Sequence, residues 1–165
     1  MTQTRFLECE NRTMIPKKNS PVKLFNPYFF MLPRLLALDD HLPVTITLAY
    51  IGKEIGWKVT TITEPDKALS MLCNNDFDLF LTDFKMPYRD GLQVIEDLRQ
   101  HHVRIPVIIM TGSPNEIDEK EVQRLGVLAV VSKPFDLDHL TRTLHQALST
   151  GMDGYCDKKT EAFEK

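Results

Sequence analysis

Apolar residues fall along this chain in short dense runs separated by longer mixed stretches. Leu35–Leu38, Val59–Ile62, Leu79–Leu81, Val107–Met110 and Val127–Val131 are five such runs. Each has the length of a buried strand and is too short for a helix. The stretches between them carry the other period. After Pro43, residues Val44, Leu48, Ile51 and Ile55 sit at the spacing of one helix face. Pro65 opens a second such segment with Ala68, Leu69 and Leu72, and Gly91 leads into a third bearing Leu92, Ile95 and Leu98. A polar fourth helix is expected around Glu116–Leu125, with only Ile117, Val122 and Leu125 to bury. Leu137, Leu140, Leu144 and Ala147 mark the last helix, which Gly151 and Gly154 are expected to close. Five strands alternating with five helices over short connections predict an α/β fold: a doubly wound, five-stranded parallel sheet with helices on both faces.

The alternation occupies residues 34–148. Residues 1–33 hold Pro16, Pro21, Pro27 and Pro33 and no sustained pattern. They read as a disordered N-terminal extension, or as sequence upstream of a start at Met31. The sharper alternative is a docking segment that uses Leu24, Phe25, Tyr28, Phe29 and Phe30. Residues 149–165 read as a polar C-terminal tail.

Composition changes this picture little. Net charge is −3 over 165 residues, so neither nucleic acid nor an anionic membrane is indicated as the main partner. The extension carries five basic and two acidic side chains, whereas residues 34–148 carry twelve and seventeen; the basic head does not belong to the globular part. Cys9, Cys73 and Cys156 are odd in number and scattered, which suits free thiols in a reducing cytoplasm better than a disulfide framework. The run Tyr28–Leu32 lies between Pro27 and Pro33 and is too short for a signal core or a membrane span. A cytoplasmic protein is expected.

The chemistry lies where the runs end. Asp39 and Asp40 follow the first, Asp83 the third, Thr111 the fourth and Lys133 the fifth. Parallel strands place their carboxyl ends on one edge of the sheet, where ligands bind in open α/β folds, so these five residues can converge. Three neighbouring carboxylates repel one another and need a cation. A hard divalent ion such as Mg²⁺ answers that need with oxygen ligands. Asp83 can then act as a carboxylate nucleophile towards phosphorus, with Lys133 and the metal neutralising charge on the transferring group. The Thr111 hydroxyl can donate a hydrogen bond to a phosphoryl oxygen. The histidines stand apart from this set. His101 and His102 close the third helix, and His41, His139 and His145 lack the spacing of a metal pair, so none is assigned a role. Trp57 reads as packing at a sheet end.

Leu38-Asp39-Asp40, Asp83-Phe84-Lys85-Met86-Pro87 with Asp90-Gly91, Met110-Thr111-Gly112 and Lys133-Pro134-Phe135 together resemble the receiver domain of bacterial two-component response regulators. The resemblance covers residues 34–148 and implies a flavodoxin-like sheet of order 2-1-3-4-5. It further implies that Asp83 is the phosphoacceptor. Asp40, Asp83 and the backbone carbonyl of Lys85 would ligate Mg²⁺ directly, with Asp39 acting mainly through water. Thr111 and Lys133 would bind the phosphoryl group, Gly112 would leave room beside it, and the Lys133–Pro134 bond would be cis. Many receivers carry an aromatic residue three positions before the lysine, where this chain has Val130. A switch by an inward-swinging ring is therefore not expected; signalling by shifts of the fourth helix and its loop is. Lys85, two residues past Asp83, is expected to overhang the acyl phosphate and hinder attacking water.

The function expected is a phosphorylation-dependent signalling switch. The phosphoryl donor would be a sensor histidine kinase or a histidine phosphotransfer protein. Only about 17 residues follow the last expected helix, which leaves no room for a DNA-binding domain. A stand-alone receiver that signals by contact with a downstream protein target is therefore expected, with no membrane partner. Aspartyl phosphohydrolases on similar sheets carry a second Asp two residues after the nucleophile, where this chain has Lys85, so an enzyme is not expected. A flavin site is disfavoured too, because no phosphate-cradling loop follows the first strand. The remaining alternative is a constitutive, phosphorylation-independent interaction module.

Overall fold

The computed structural model describes residues 32–155. The readings of the extension 1–33 and of most of the tail 149–165 fall outside the described residues. Five strands, β1 (Arg34–Leu38), β2 (Lys58–Ile62), β3 (Leu79–Asp83), β4 (Val107–Thr111) and β5 (Ala129–Ser132), form one parallel sheet of order β2-β1-β3-β4-β5. Helices α1 (Leu42–Glu54), α2 (Asp66–Asn74), α3 (Gly91–Gln100), α4 (Glu119–Arg124) and α5 (Leu137–Tyr155) connect and follow them. This is the flavodoxin-like order expected from the resemblance.

Both faces of the sheet are covered, which is why its central strands read as continuous apolar runs instead of alternating ones. Leu35 and Ala37 of β1 turn to one face, where they join Leu48 and Ile51 of α1 and Leu140, Leu144 and Ala147 of α5. Leu36 and Leu38 turn to the other, against Ala68 and Leu72 of α2 and Val94, Ile95 and Leu98 of α3. β3 and β4 are buried along their whole length. Their last residues, Asp83 and Thr111, are thus carried into the interior by their own strands.

β5 begins two residues later than its apolar run, and two helices differ from expectation. The fourth helix is six residues long and begins at Glu119, three residues later than its pattern suggested. Pro114–Glu116 form a separate 3-10 turn that ends with Ile117 in an extended conformation, and the Asp118 side chain then caps α4 by accepting from the Lys120 backbone amide. α5 continues through Gly151 and Gly154 to Tyr155. Each glycine costs a helix about 1 kcal/mol relative to alanine, a weakening that the backbone here absorbs.

Candidate functional site

The carboxyl edge of the sheet gathers the strand-end residues. β1 ends at Leu38, and Asp39 follows with its amide donating to Ile62 of the edge strand at 3.2 Å. The chain turns at once: the His41 backbone amide donates to Asp39 Oδ1 at 2.9 Å, and α1 starts at Leu42 with Pro43 in its first turn. Asp39 is fully buried, Asp40 partly so, and the His41 side chain is exposed.

Asp83 is placed from both sides. The next amide, that of Phe84, donates to Met110 of β4 at 2.7 Å, and the Gly91 amide returns to donate to the Phe84 carbonyl at 2.8 Å. A Cβ at Gly91 would lie 2.3 Å from the Asp83 carbonyl oxygen; only glycine allows α3 to start this close to the end of β3. Asp90 and Gln93 hold that start with a reciprocal capping box. Just before this cap Tyr88 is fully exposed at φ 69°, a left-handed conformation uncommon for a side chain of its size. Arg89 ties the loop down through Asp97 and Asp66 and through the Gln93 carbonyl.

Lys133 joins the pieces. Its backbone amide donates to the Thr111 carbonyl at 2.6 Å, the Lys133–Pro134 bond is cis, and Nζ lies 2.5 Å from Asp39 Oδ2 and 2.5 Å from Asp83 Oδ1. One ammonium thus spans two buried carboxylates. Burial raises the Asp83 pKa above its ordinary value. The Lys133 hydrogen bond and charge pull the other way, and the charges of Asp39 and Asp40 add to the rise. Burial alone would lower the Lys133 pKa, yet hydrogen bonds and charge from Asp39 and Asp83 outweigh it and raise it. Thr111 is buried beside this group, and its Oγ1 accepts the Ser113 amide at 2.9 Å, leaving the hydroxyl proton to donate elsewhere.

Lys85 is half-exposed, and its Nζ lies 2.5 Å from Glu116 Oε2 in the 3-10 turn after β4. That hydrogen bond, then the lysine charge and a further bond from Ser113, hold the Glu116 carboxyl below its usual range. Val130 packs with the core on the α2–α3 face. No Cβ contact constrains Gly112.

Of the histidines given no role in the sequence, two have side-chain partners. His41 Nδ1 lies 3.2 Å from Asp40 Oδ1 and 3.7 Å from Asp39 Oδ1, and the donor atoms of these three residues all fall within 4.8 Å of one another. Position 41 directly follows the aspartate pair, which was the one sequence signal available. His145 on α5 accepts from Trp57 Nε1 at 3.4 Å and stacks edge-on to the indole, 5.5 Å between centroids. Trp57 is buried there, so its packing reading stands; the pair spans 88 residues, beyond any local motif.

A five-stranded parallel sheet of order 2-1-3-4-5, with carboxylates and a lysine gathered at its carboxyl edge, defines the receiver class of flavodoxin-like folds. Solved structures agree. The receiver domain of a Francisella response regulator superposes with a TM-score of 0.66 at 25% identity, covering 72% of this chain and 98% of that one. The chemotaxis response regulator CheY4 of Vibrio cholerae gives 0.64 at 22%, covering 71% and 99%, which bears on the fold alone. Residues 35–145 match the response regulator receiver domain, and the chain belongs to that family of two-component signalling proteins. Among curated relatives, the regulatory protein AtoC of Escherichia coli is 32% identical over 133 residues, 71% of this chain and 29% of its own length. The response regulator SaeR of Staphylococcus aureus is 31% identical over 119 residues, 72% of this chain and 51% of its own. The chain therefore spans about a third to a half of these relatives. Receiver domains are signalling domains, generally phosphorylated on aspartate, and not enzymes in the ordinary sense.

Proposed function

We propose that this chain is a phosphorylation-dependent switch of a two-component phosphorelay. In this reading Asp83 takes a phosphoryl group from the phosphohistidine of a sensor kinase or of a histidine phosphotransfer protein. The observation that carries it is the Lys133 ammonium spanning Asp39 and Asp83 at 2.5 Å each. An Asp83 oxygen attacks phosphorus, the P–N bond breaks, and its electron pair stays on the donor imidazole, which takes up a proton. The burial that raises the Asp83 pKa also leaves its anion poorly hydrated and readier to attack. Lys133 then follows the negative charge onto the transferred group, and the Thr111 hydroxyl donates to a phosphoryl oxygen.

The donor set fits a hard divalent ion, since Asp39 and Asp40 offer carboxylate oxygens close to one another and their charges act on Asp83. Asp40, Asp83 and the backbone carbonyl of Lys85 would hold Mg²⁺ directly, with Asp39 acting through water. When bound, Mg²⁺ supplies positive charge against the oxygens of the transferring group.

The output in this reading is a contact with a downstream protein target on the face built from α4, β5 and α5. With Val130 where many receivers have an aromatic ring, Thr111 and the segment from Ser113 to Leu125 carry the change. α4 suits that task because none of its six residues is fully buried. A cytoplasmic location accords with three scattered cysteines, and among the described residues no helix is long and apolar enough to cross a membrane.

The test is intact mass after incubation with acetyl phosphate. A single phosphoryl adduct is expected that requires Mg²⁺ and is absent from Asp83→Asn. No adduct on the wild type would overturn this reading in favour of a constitutive interaction module.

A further inference from the structure

We infer that the hollow between the carboxyl-terminal ends of α3 and α4 binds the phosphate group of a small anion, held by Arg99, Arg104 and Arg124. The hollow lies at the amino edge of the sheet, where β4 begins, and Asp83 closes β3 at the opposite edge. It is a second site, independent of the reading of Asp83.

Three separate elements bring one residue type together. Arg99 lies in the last turn of α3, Arg104 in the loop that leads to β4, and Arg124 at the end of α4. They line a hollow of about 330 Å³ together with Ile105, Leu125 and Gly126. That volume falls at the lower end of the range of small-molecule sites. Ile105 and Leu125 supply an apolar wall. A Cβ at Gly126 would meet nothing within 4 Å, so the chain leaves the space beside it open.

The charges there are not balanced. Arg99 is partly buried. Its Nε donates to the Leu125 carbonyl at 2.9 Å, and its Nη1 to the Val103 and Ile105 carbonyls at 2.8 and 3.2 Å. These bonds fix the guanidinium and tie α3 to the end of α4, yet none of the three acceptors carries a full charge. Nη2 is left without a hydrogen bond among the described residues. Arg104 is exposed and has no carboxylate partner among the described residues. Burial, and then the charge of Arg104, lower the Arg99 pKa. Arginine keeps its proton at any working pH, so the two guanidiniums cannot relieve their repulsion by deprotonation; a bound anion relieves it. Arg124 differs, because Glu121 and Glu96 accept from its Nε and Nη2, which leaves Nη1 for a further acceptor. The planar guanidinium fork matches a pair of phosphate oxygens, and a doubly charged phosphate answers Arg99 and Arg104 at once.

The full chain is titrated by heteronuclear NMR with inorganic phosphate, adenosine monophosphate and adenosine, without divalent ions or a phosphoryl donor. Saturable shifts are expected at the amides of Arg99, Val103, Ile105 and Gly126 with both phosphates and not with adenosine. Arg104→Gln alters an exposed side chain that holds no other described group, and should weaken phosphate binding about tenfold or more. Arg142→Gln removes the same charge from α5 and should leave binding unchanged. Equal affinity for the two phosphates assigns the site to the free anion. Tighter binding of adenosine monophosphate assigns it to an organic phosphate whose body rests on Ile105 and Leu125. The inference is overturned by the absence of saturable shifts up to about 10 mM phosphate, or by shifts centred on the Asp83 edge. Arg104→Gln protein that binds as the wild type does, or that loses no more than Arg142→Gln, overturns it equally.

Discussion

The Lys133 ammonium answers two buried anions at once, and the two sides of that arrangement respond oppositely to mutation. Because the folded-state pKa of Asp83 is raised, its ionised form is held less well in the fold than in the unfolded chain. That cost is fully present at neutral pH, fades as pH falls from the raised folded-state pKa towards the ordinary carboxylate value of 3.8, and is gone below it. Asp83→Asn, which keeps the shape and removes the charge, should therefore raise the Tm of unphosphorylated protein by a few degrees at pH 7 without divalent ions. The gain should shrink in acid. Lys133 is the reverse case: its raised pKa means stability present at neutral pH and lost only as pH climbs past the usual lysine range. Lys133→Met strands Asp39 and Asp83 and should lower Tm; thermal unfolding of both variants would contradict this if the signs were exchanged. Lys85 offers a kinetic counterpart. If its ammonium shields the acyl phosphate, Glu116 competes for it in the 2.5 Å ion pair. Lys85→Ala should then hydrolyse faster than wild type and Glu116→Gln modestly slower, as suits an exposed, solvent-screened pair. Phosphoryl loss followed by mass would show equal rates in all three proteins if Lys85 did not shield. Asp39, Asp40, Asp83, Thr111 and Lys133 were legible in the sequence because each closes an apolar run. His41 and Glu116 were not, since their positions depend on how a turn folds back.

Elements place these residues through close contacts that tolerate no added volume. Gly91 begins α3 against the Asp83 carbonyl, and the Cβ of an alanine would also meet Phe84 Cα at 3.3 Å. These are backbone atoms that cannot rotate away. Gly91→Ala should cost about 1–3 kcal/mol and slow phosphorylation by moving Asp83, both readable from a denaturant melt and the adduct assay; an unchanged melt would contradict the packing. Element type was legible throughout and boundaries were not. α1 exposes Leu42, Ile46 and Tyr50 as well as burying Leu48 and Ile51, so its periodicity is blurred and its start is set by His41 and Pro43. α4 was read too long because Ile117 supplied a helix-spaced apolar residue, although Pro114 and the Asp118 cap divide that stretch into a 3-10 turn and a helix. α5 was read too short because glycine weakens a helix without ending it.

At the scale of the molecule, alternating periods sufficed for a parallel sheet covered on both faces. They could not supply strand order, since hydrophobic pattern carries no information about which strand lies beside which; the order came from motif resemblance. That order matters for function, because placing β1 beside β3 and β4 beside β5 is what lets Lys133 reach Asp39, 94 residues away, together with Asp83. The same edge gathers three aspartates, so the residue that carries the phosphoryl group has to be located and not only counted. The most direct measurement is borohydride reduction of protein freshly treated with acetyl phosphate and Mg²⁺, followed by peptide mass spectrometry. An acyl phosphate is reduced to the corresponding alcohol, marking the aspartate that held it. Phosphoryl transfer at the end of β3 predicts homoserine at position 83 and at no other aspartate. Homoserine at position 39 or 40, or none anywhere while the intact protein still carries phosphate, would contradict it.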